Sequence, residues 1–334
     1  MREDVREDVE ELYDLENVPV GQEALDELVE VLALERIEEN IYRGWHPRHH
    51  LPRTFGGQTA AQALMAAYRT VPEGRDLHSM HSYFLRGGDP TVPALFLVDR
   101  VRDGGSFTTR RVLGVQHGET IYALTVSFQK PEPGVEHADE MPDAPDPESL
   151  PTFAELVQGY ASEVPVLAGL ARNIDVRYVD PPPFMQRESG PRQEPYQRVW
   201  MRAYGKLPDD PRIHAAVIAY VSDISLLSSV LVKHGLAFSL DPLFGASLDH
   251  AVWFHRPFRA DEWFLYDTYS PWAGGARGLA IGRMFTRDGV LGASVVQEGL
   301  LRPMGELRER LTGEKVDPLA VPPNPLYGRG RVKE

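Results

Sequence analysis

Apolar residues fill one long segment of the chain almost without interruption, a pattern that predicts a buried helix. The segment "RIHAAVIAYVSDISLLSSVLVKHG" spans residues 212–235. Asp210 and Pro211 precede it as a helix cap and a first-turn proline, and apolar side chains then recur every three or four residues. Asp223 therefore falls in mid-helix, which is a stronger interpretation than a cap for a helix that starts at Ile224. A carboxylate buried there needs hydrogen-bond donors or a cleft, because burial without partners costs on the order of several kcal/mol.

A second apolar segment, residues 51–74, also predicts a buried helix, since it opens with Gly-Gly and stops at Pro-Glu-Gly. Segments of alternating polarity follow it and predict a meander of antiparallel strands joined by glycine-containing turns. They are "HSMHSYFLR", "PALFLVDRVRDG", "SFTTRRVLGVQHG" and "TIYALTVSFQ". Four similar segments, from "LDHAVWFHRPF" to "VLGASVVQEGLLR", follow the helix of residues 212–235.

The two halves match in the order and spacing of these elements. Arg86 and Arg256 close matching strands, and each lies 19 residues before the second glycine of a Gly-Gly pair. We infer an internal duplication with an offset of roughly 170 residues. The prediction is an α+β chain in which each half wraps an antiparallel sheet around a long helix. The predicted divisions are an acidic arm (1–27), a first domain (28–137), a Pro- and acid-rich linker (138–194), a second domain (195–310) and a tail (311–334).

Composition narrows the functional classes. With 42% apolar residues, 25% charged residues and a net charge of −14, the chain has the profile of a globular protein that does not bind nucleic acid. No cysteine is present, which excludes disulfides, thiolate metal sites and a cysteine nucleophile. The acidic N-terminal sequence lacks the apolar core of a signal peptide, and no apolar run could span a bilayer. We therefore expect a cytoplasmic protein without a membrane span.

Several catalytic and metal motifs are missing from the sequence. It has no G-x-S-x-G elbow, no phosphate-binding loop and no G-x-G-x-x-G. The segment "HPRHH" at residues 46–50 lacks an acid or cysteine at a metal-ligand spacing, so a solvated loop is the favoured interpretation and no metal is expected. Taken singly, Ser247 and Gln297 are most simply residues at the ends of strands.

As a set, five blocks strongly resemble the acyl-CoA thioesterase II family of double-hotdog thioesterases. The blocks are "FGGQTAAQALMAA", "HSMHSYFLRGGD", "RDGGSFTTRRV", "LDHAVWFHRPF" and "DGVLGASVVQEG". They occur in the family's order and cover roughly residues 28–137 and 195–303. The resemblance implies two antiparallel sheets, each wrapped around a long helix. It also implies hydrolysis of medium- to long-chain fatty acyl-CoA to a free fatty acid and CoA, with no cofactor.

The resemblance also implies the site residues. The family uses an Asp on the second-half helix, a Thr or Ser opening the next strand and a Gln ending the last strand, which match Asp223, Ser247 and Gln297. We expect Asp223 to activate a water for direct attack, with the other two side chains orienting that water. By the repeat, Gln58 is placed near the position of Asp223. Supporting roles are expected for three first-half residues: His78, Gly57 and Gln58.

The partners implied are acyl-CoA and further copies of this chain. The CoA phosphates need cations, and the candidates are Arg256, Arg277, Arg110 and Arg111. A homodimer or homotetramer is expected, because long antiparallel sheets with exposed edges commonly pair. Two alternatives stay open. One is a hotdog enoyl-CoA hydratase that uses Asp223 with His250, and the other is a non-catalytic acyl-CoA-binding protein.

Overall fold

The computed structural model describes residues 19–48, 53–157, 172–185, 190–238 and 241–313. The helices are α1 (Gln22–Leu32), α2 (Gly56–Tyr68), α3 (Phe153–Val157), α4 (Pro211–Val221), α5 (Ser228–Val232) and α6 (Gly305–Thr312). The first-half strands are β1 (Glu35–Glu38), β2 (Ile41–Gly44), β3 (Asp76–Phe84), β4 (Ala94–Asp103), β5 (Phe107–Gln116) and β6 (Glu119–Gln129). The remaining strands are β7 (Ile174–Tyr178), β8 (Tyr196–Ala203), β9 (Leu243–Ser247), β10 (Asp249–Phe254), β11 (Phe264–Gly274), β12 (Arg277–Thr286) and β13 (Leu291–Pro303). No helix in these ranges is long and apolar enough to cross a membrane.

Within the described ranges, all strands join one antiparallel sheet of 13 strands. Its order is β1-β2-β4-β5-β6-β3-β10-β13-β12-β11-β8-β7, with β9 paired to β13. The predicted meanders are present as β3–β6 and β10–β13. The two predicted sheets meet edge to edge where β3 pairs with β10, with His81 opposite Ala251. The duplication thus produces two helix-plus-meander halves that share one continuous sheet.

Helices α2 and α4 pack against each other inside the curve of this sheet. In α2, every residue from Gly57 to Ala67 is buried, as expected of a helix that is apolar almost all round. The predicted start of α4 is confirmed, because the Asp210 side chain accepts a hydrogen bond from the backbone N–H of Arg212 and Pro211 opens the helix. The contact between the helices is close at Gly57, where an added methyl group would lie 2.3 Å from the Tyr220 carbonyl oxygen.

The long helix predicted over residues 212–235 is wrong in one respect, because it is broken. Helix α4 ends at Val221 and α5 begins at Ser228, so Asp223 lies in the break and not in mid-helix. The break contains Ser225, whose φ of 66° is incompatible with a right-handed helix, and two hydrogen bonds of Ser222 stand at its start. The Ser222 hydroxyl donates to the Ala219 carbonyl oxygen at 2.9 Å, and its own carbonyl accepts from the Tyr266 hydroxyl at 2.8 Å. That carbonyl is therefore engaged by a side chain where a continuing helix would supply a backbone N–H.

The predicted divisions of the chain need three corrections. Helix α1 starts at Gln22 and buries Ala24 and Leu25, so the solvated arm does not extend to residue 27. The linker of residues 138–194 contains β7, which pairs with β8 and belongs to the second-half sheet. Helix α6 also crosses the boundary placed at residue 310. Residues 1–18 and 314–334, the rest of the predicted arm and tail, lie outside the described residues.

Candidate active site

Asp223, Ser247 and Gln297 lie within hydrogen-bond distance of one another. Gln297 projects from β13 and its Nε2 donates to Asp223 Oδ1 at 2.6 Å, while Ser247, the last residue of β9, donates from Oγ to the same oxygen at 3.3 Å. Gln297 is fully buried, and its Oε1 has no hydrogen-bond partner in the described part of the chain. The two donors compensate the partial burial of the carboxylate. They leave Asp223 Oδ2 available to another group.

The start of α2, from the first half of the chain, faces that second oxygen. A methyl group added at Gly56 would lie 2.7 Å from Asp223 Oδ2 and 2.8 Å from the Phe84 ring, so a larger residue would have to displace one of these side chains. No side chain caps the first turn of α2, whose opening N–H groups have no partner within the helix. The positive end of the α2 dipole therefore points toward the carboxylate, and it opposes the unfavourable negative end of α4. The site is built from both halves.

A buried cluster behind the site fixes the residue that precedes Asp223. His250 on β10 is fully buried and its Nε2 lies 2.8 Å from the Ser222 hydroxyl oxygen, while Tyr266 bonds the Ser222 carbonyl. Because the Ser222 hydroxyl donates to Ala219, it accepts from His250 Nε2–H. Burial lowers the pKa of His250, and burial together with the charge of Asp223 raises the pKa of Tyr266. Both groups are therefore neutral near pH 7.

This buried histidine predicts acid sensitivity. A histidine whose pKa is lowered by folding contributes stability above its unfolded pKa, near 6.5, and that stability is lost as the pH falls below it. We expect the free energy of unfolding to fall between pH 7 and pH 5, and to fall less steeply in His250→Gln, whose amide can still donate to Ser222. Urea unfolding at several pH values tests this. Equal slopes in the two proteins would contradict it.

Of the three first-half residues predicted to support the site, Gln58 and His78 make other contacts. Gln58 is the third residue of α2 and its Nε2 lies 2.9 Å from His46 Nδ1. Asp223 follows the end of α4, so the two do not occupy corresponding positions and the repeat-based match is wrong. His78 lies on β3 six residues before Phe84, about 20 Å away at strand spacing. It bonds Ser127 at 2.8 Å, remote from Asp223. Gly57 follows Gly56 in the first turn of α2 and packs against the Tyr220 carbonyl.

The arginines predicted to bind phosphate are already engaged. The Arg110 side chain is fully buried, and its guanidinium bonds the Thr70 hydroxyl and carbonyl at 2.8 Å each. It thereby satisfies the C-terminal end of α2, so its assignment to CoA is wrong. The other three are exposed and paired with carboxylates: Arg111 with Asp99, Arg256 with Glu136 and Arg277 with Glu298. For these three the role stays a prediction.

Sequence reasoning missed the residues that shape the site through contact. Gly56, Phe84, Ser222 and Tyr266 come from four separate elements. The Gly-Gly that opens α2 was the one available signal, because paired glycines at a helix start indicate close approach of another group. Of the histidine-rich segment at residues 46–50, His49 and His50 lie outside the described residues.

Comparison with known proteins identifies the family of this chain. Residues 170–300 match the family described as acyl-CoA thioesterase, and residues 42–129 match the family described as acyl-CoA thioesterase N-terminal domain. Acyl-coenzyme A thioesterase 8 of Mus musculus is 42% identical over 295 residues, which cover 84% of this chain and 90% of the mouse protein. Acyl-CoA thioesterase 2 of Haemophilus influenzae is 36% identical and covers 83% of this chain and 98% of its own length.

Solved structures support the same relationship. The acyl-CoA thioesterase II TesB2 of Mycobacterium marinum is 45% identical, with a TM-score of 0.69 over 83% of this chain and 98% of that structure. A hotdog-fold protein of unknown function from Alicyclobacillus acidocaldarius, at 20% identity and a TM-score of 0.68, shows the fold alone. The α+β double-hotdog prediction is confirmed. This chain is a member of the acyl-CoA thioesterase II family and a thioester hydrolase.

Proposed function

We propose that the protein hydrolyses medium- to long-chain fatty acyl-CoA to free fatty acid and CoA, by direct attack of a water that Asp223 activates. The observation that carries this proposal is the asymmetry of the carboxylate. Its Oδ1 accepts from Gln297 and Ser247, whereas its Oδ2 faces Gly56 at the start of α2. One oxygen is fixed and the other is available as a base beside a set of backbone donors.

The water has two acceptors in this arrangement. Asp223 Oδ2 can take one of its hydrogens, and the buried Oε1 of Gln297, which lacks a partner among the described residues, can accept the other. A lone pair of the water is then directed at the thioester carbonyl carbon. As the carbon–oxygen bond forms, the proton passes to Asp223. When the carbon–sulfur bond breaks, that proton is returned to the departing CoA thiolate.

Backbone N–H groups at the start of α2 are placed to donate hydrogen bonds to the thioester carbonyl oxygen. The N–H of Gln58 bonds the Phe55 carbonyl, whereas the N–H of Gly57 has no acceptor within the helix. We assign the Gly57 N–H as a donor to the oxyanion that develops on the thioester. Such a donor acts where charge appears in the transition state, and the helix dipole adds to its effect.

Loss of either donor to Asp223 is expected to slow turnover, but to different extents. Gln297→Ala removes the 2.6 Å bond and the acceptor for water, so we expect kcat to fall by about 100-fold. Ser247→Ala removes only the 3.3 Å bond, and a fall of about 10-fold is expected. Ser247→Thr keeps the hydroxyl and serves as the control. A Ser247→Ala variant slower than Gln297→Ala would contradict the ranking.

The test of the proposed function is thiol release from octanoyl-CoA and palmitoyl-CoA. Release of CoA with no acyl group on the protein by mass spectrometry supports direct water attack. A burst of thiol, or an acyl adduct on Ser247, would replace it with a covalent mechanism. Hydration of enoyl-CoA without hydrolysis would indicate the hydratase, and binding without turnover would indicate a non-catalytic acyl-CoA-binding protein.

We further infer that the chain forms a homodimer or homotetramer in the cytoplasm. Support for assembly comes from the outer face of the first-half sheet, which exposes the apolar side chains Leu95, Leu97, Val101, Phe107 and Tyr83. An exposed apolar patch of this kind is typical of a protein–protein interface.

A further inference from the structure

Arg53 is a partly buried cation that has no partner among the described residues. Among the arginines and lysines of the described ranges, it is the one that is partly buried yet makes no hydrogen bond or ion pair with a described residue. Burial lowers the pKa of its guanidinium, and no neighbouring carboxylate opposes this effect. Arginine is rarely buried without a counter-charge, since removing the charge from water is unfavourable. The side chain therefore has the properties expected of an anion-binding residue.

Arg53 is held in place by the turn that follows β3. A methyl group added at Gly87 would lie 3.1 Å from Arg53 Nη1, so the guanidinium rests directly on the glycine backbone. The next residue, Thr54, donates its N–H to the Gly88 carbonyl at 3.1 Å, and a methyl group at Gly88 would lie 2.8 Å from the Thr54 side chain. The two glycines thus form a seat for the segment: Gly87 contacts Arg53, and Gly88 contacts Thr54.

This seat lies at the rim of the active site. Arg53 precedes Gly56 by three residues, which places their Cα atoms within about 10 Å, and Gly56 contacts Asp223. On the other side, Gly87 follows Phe84 by three residues, and Phe84 donates its N–H to the Leu248 carbonyl, next to Ser247. Arg53 therefore lies beside two first-half segments that lead directly to the reacting centre.

We propose that Arg53 binds a phosphate group of the CoA part of the substrate and thereby anchors the thioester at Asp223. This proposal rests on the proposed function. The acyl chain is apolar and favours burial, so the charged end of the substrate is the part that remains at the partly exposed rim. A guanidinium is well suited to phosphate because its fork of N–H donors matches two phosphate oxygens.

Kinetics with two thioesters of the same acyl chain test the proposal. Octanoyl-CoA carries phosphates, whereas octanoyl-N-acetylcysteamine presents the same reacting group without them. We expect Arg53→Gln to raise KM for octanoyl-CoA by about 10- to 100-fold, with kcat little changed and with both constants for octanoyl-N-acetylcysteamine unchanged. Arg53→Lys should recover part of the loss, because it restores the charge but not the fork.

The matched control is Arg86→Gln, since Arg86 lies just before the same turn but is exposed and already paired with Glu119. Equal effects of Arg53→Gln on both thioesters, or no effect on either, would overturn the proposal. An effect confined to an N-acetylcysteamine thioester of a dicarboxylic acid would overturn it in favour of a carboxylate on the acyl chain. Calorimetric binding of CoA alone, weakened in Arg53→Gln, tests Arg53 even if the wild-type protein hydrolyses no thioester.

Discussion

Asp223→Asn is expected to lower kcat for octanoyl-CoA by about 1000-fold while the protein keeps its fold and its affinity for CoA. The amide retains an oxygen that can accept from Gln297 and Ser247 in place of Oδ1. What it loses is the basic oxygen that faces Gly56. Steady-state kinetics, circular dichroism and calorimetric binding of CoA measure the three properties separately.

Asp210→Asn is the matched control for this substitution. Asp210 caps the opposite end of the same helix, α4, and asparagine caps helices about as well as aspartate. We expect turnover close to that of the wild-type protein. If Asp223→Asn also turned over at the wild-type rate, Asp223 would not be the base.

Gly57→Ala is expected to lower the free energy of unfolding by about 2 kcal/mol or more. Alanine favours a helix over glycine by up to about 1 kcal/mol, but the new methyl group would lie 2.3 Å from the Tyr220 carbonyl oxygen. A backbone atom in a helix cannot rotate away, so α2 and α4 must separate, and overpacking of this kind typically costs about 1–3 kcal/mol or occasionally more. Chemical denaturation measures the change.

Gly56→Ala separates the chemical effect from the structural one. Its methyl group would meet a carboxylate oxygen and a phenylalanine ring, both on side chains that can move. We therefore expect a smaller loss of stability than in Gly57→Ala, together with a lower kcat because Asp223 is displaced. Gly134→Ala, at an exposed position with no atom within 4 Å, is the control. A Gly57→Ala variant as stable as Gly134→Ala would show that the helices do not meet as described.

The sequence was most informative where local pattern decides structure. The alternating segments became β3–β6 and β10–β13, and the Asp-Pro pair at residues 210–211 marked the start of α4. The end of that helix could not be predicted, because Ser222 at its end is hydrogen-bonded by Tyr266 and His250, which are distant in the chain. The fit of Gly56 against Asp223 is likewise a contact between halves, which no local pattern encodes.

The roles predicted for arginines from their charge were the weakest predictions, because these roles also depend on contacts between distant parts of the chain. The Arg-Arg pair at residues 110–111 reads as a surface cation pair, yet Arg110 points inward to the end of α2 and only Arg111 meets solvent. Alternation along β5 places the two residues on opposite faces, but the sequence does not say which face is buried under a helix. Arg53, by contrast, gave no sequence signal, because its distinguishing property is that no described residue supplies a counter-charge.

The division of the site between the two repeats bears on how the sequences of the repeats can diverge. Two identical copies related by symmetry would each have to supply both an acid and a glycine-opened helix, so every change would alter two sites at once. In this chain the second repeat supplies Asp223 and the first supplies Gly56 and Gly57. Each repeat therefore supplies only its own group to the site. A substitution of that group in one repeat cannot be compensated by the matching residue of the other repeat. Within this one polypeptide, the two repeats are two different, mutually dependent parts of a single site.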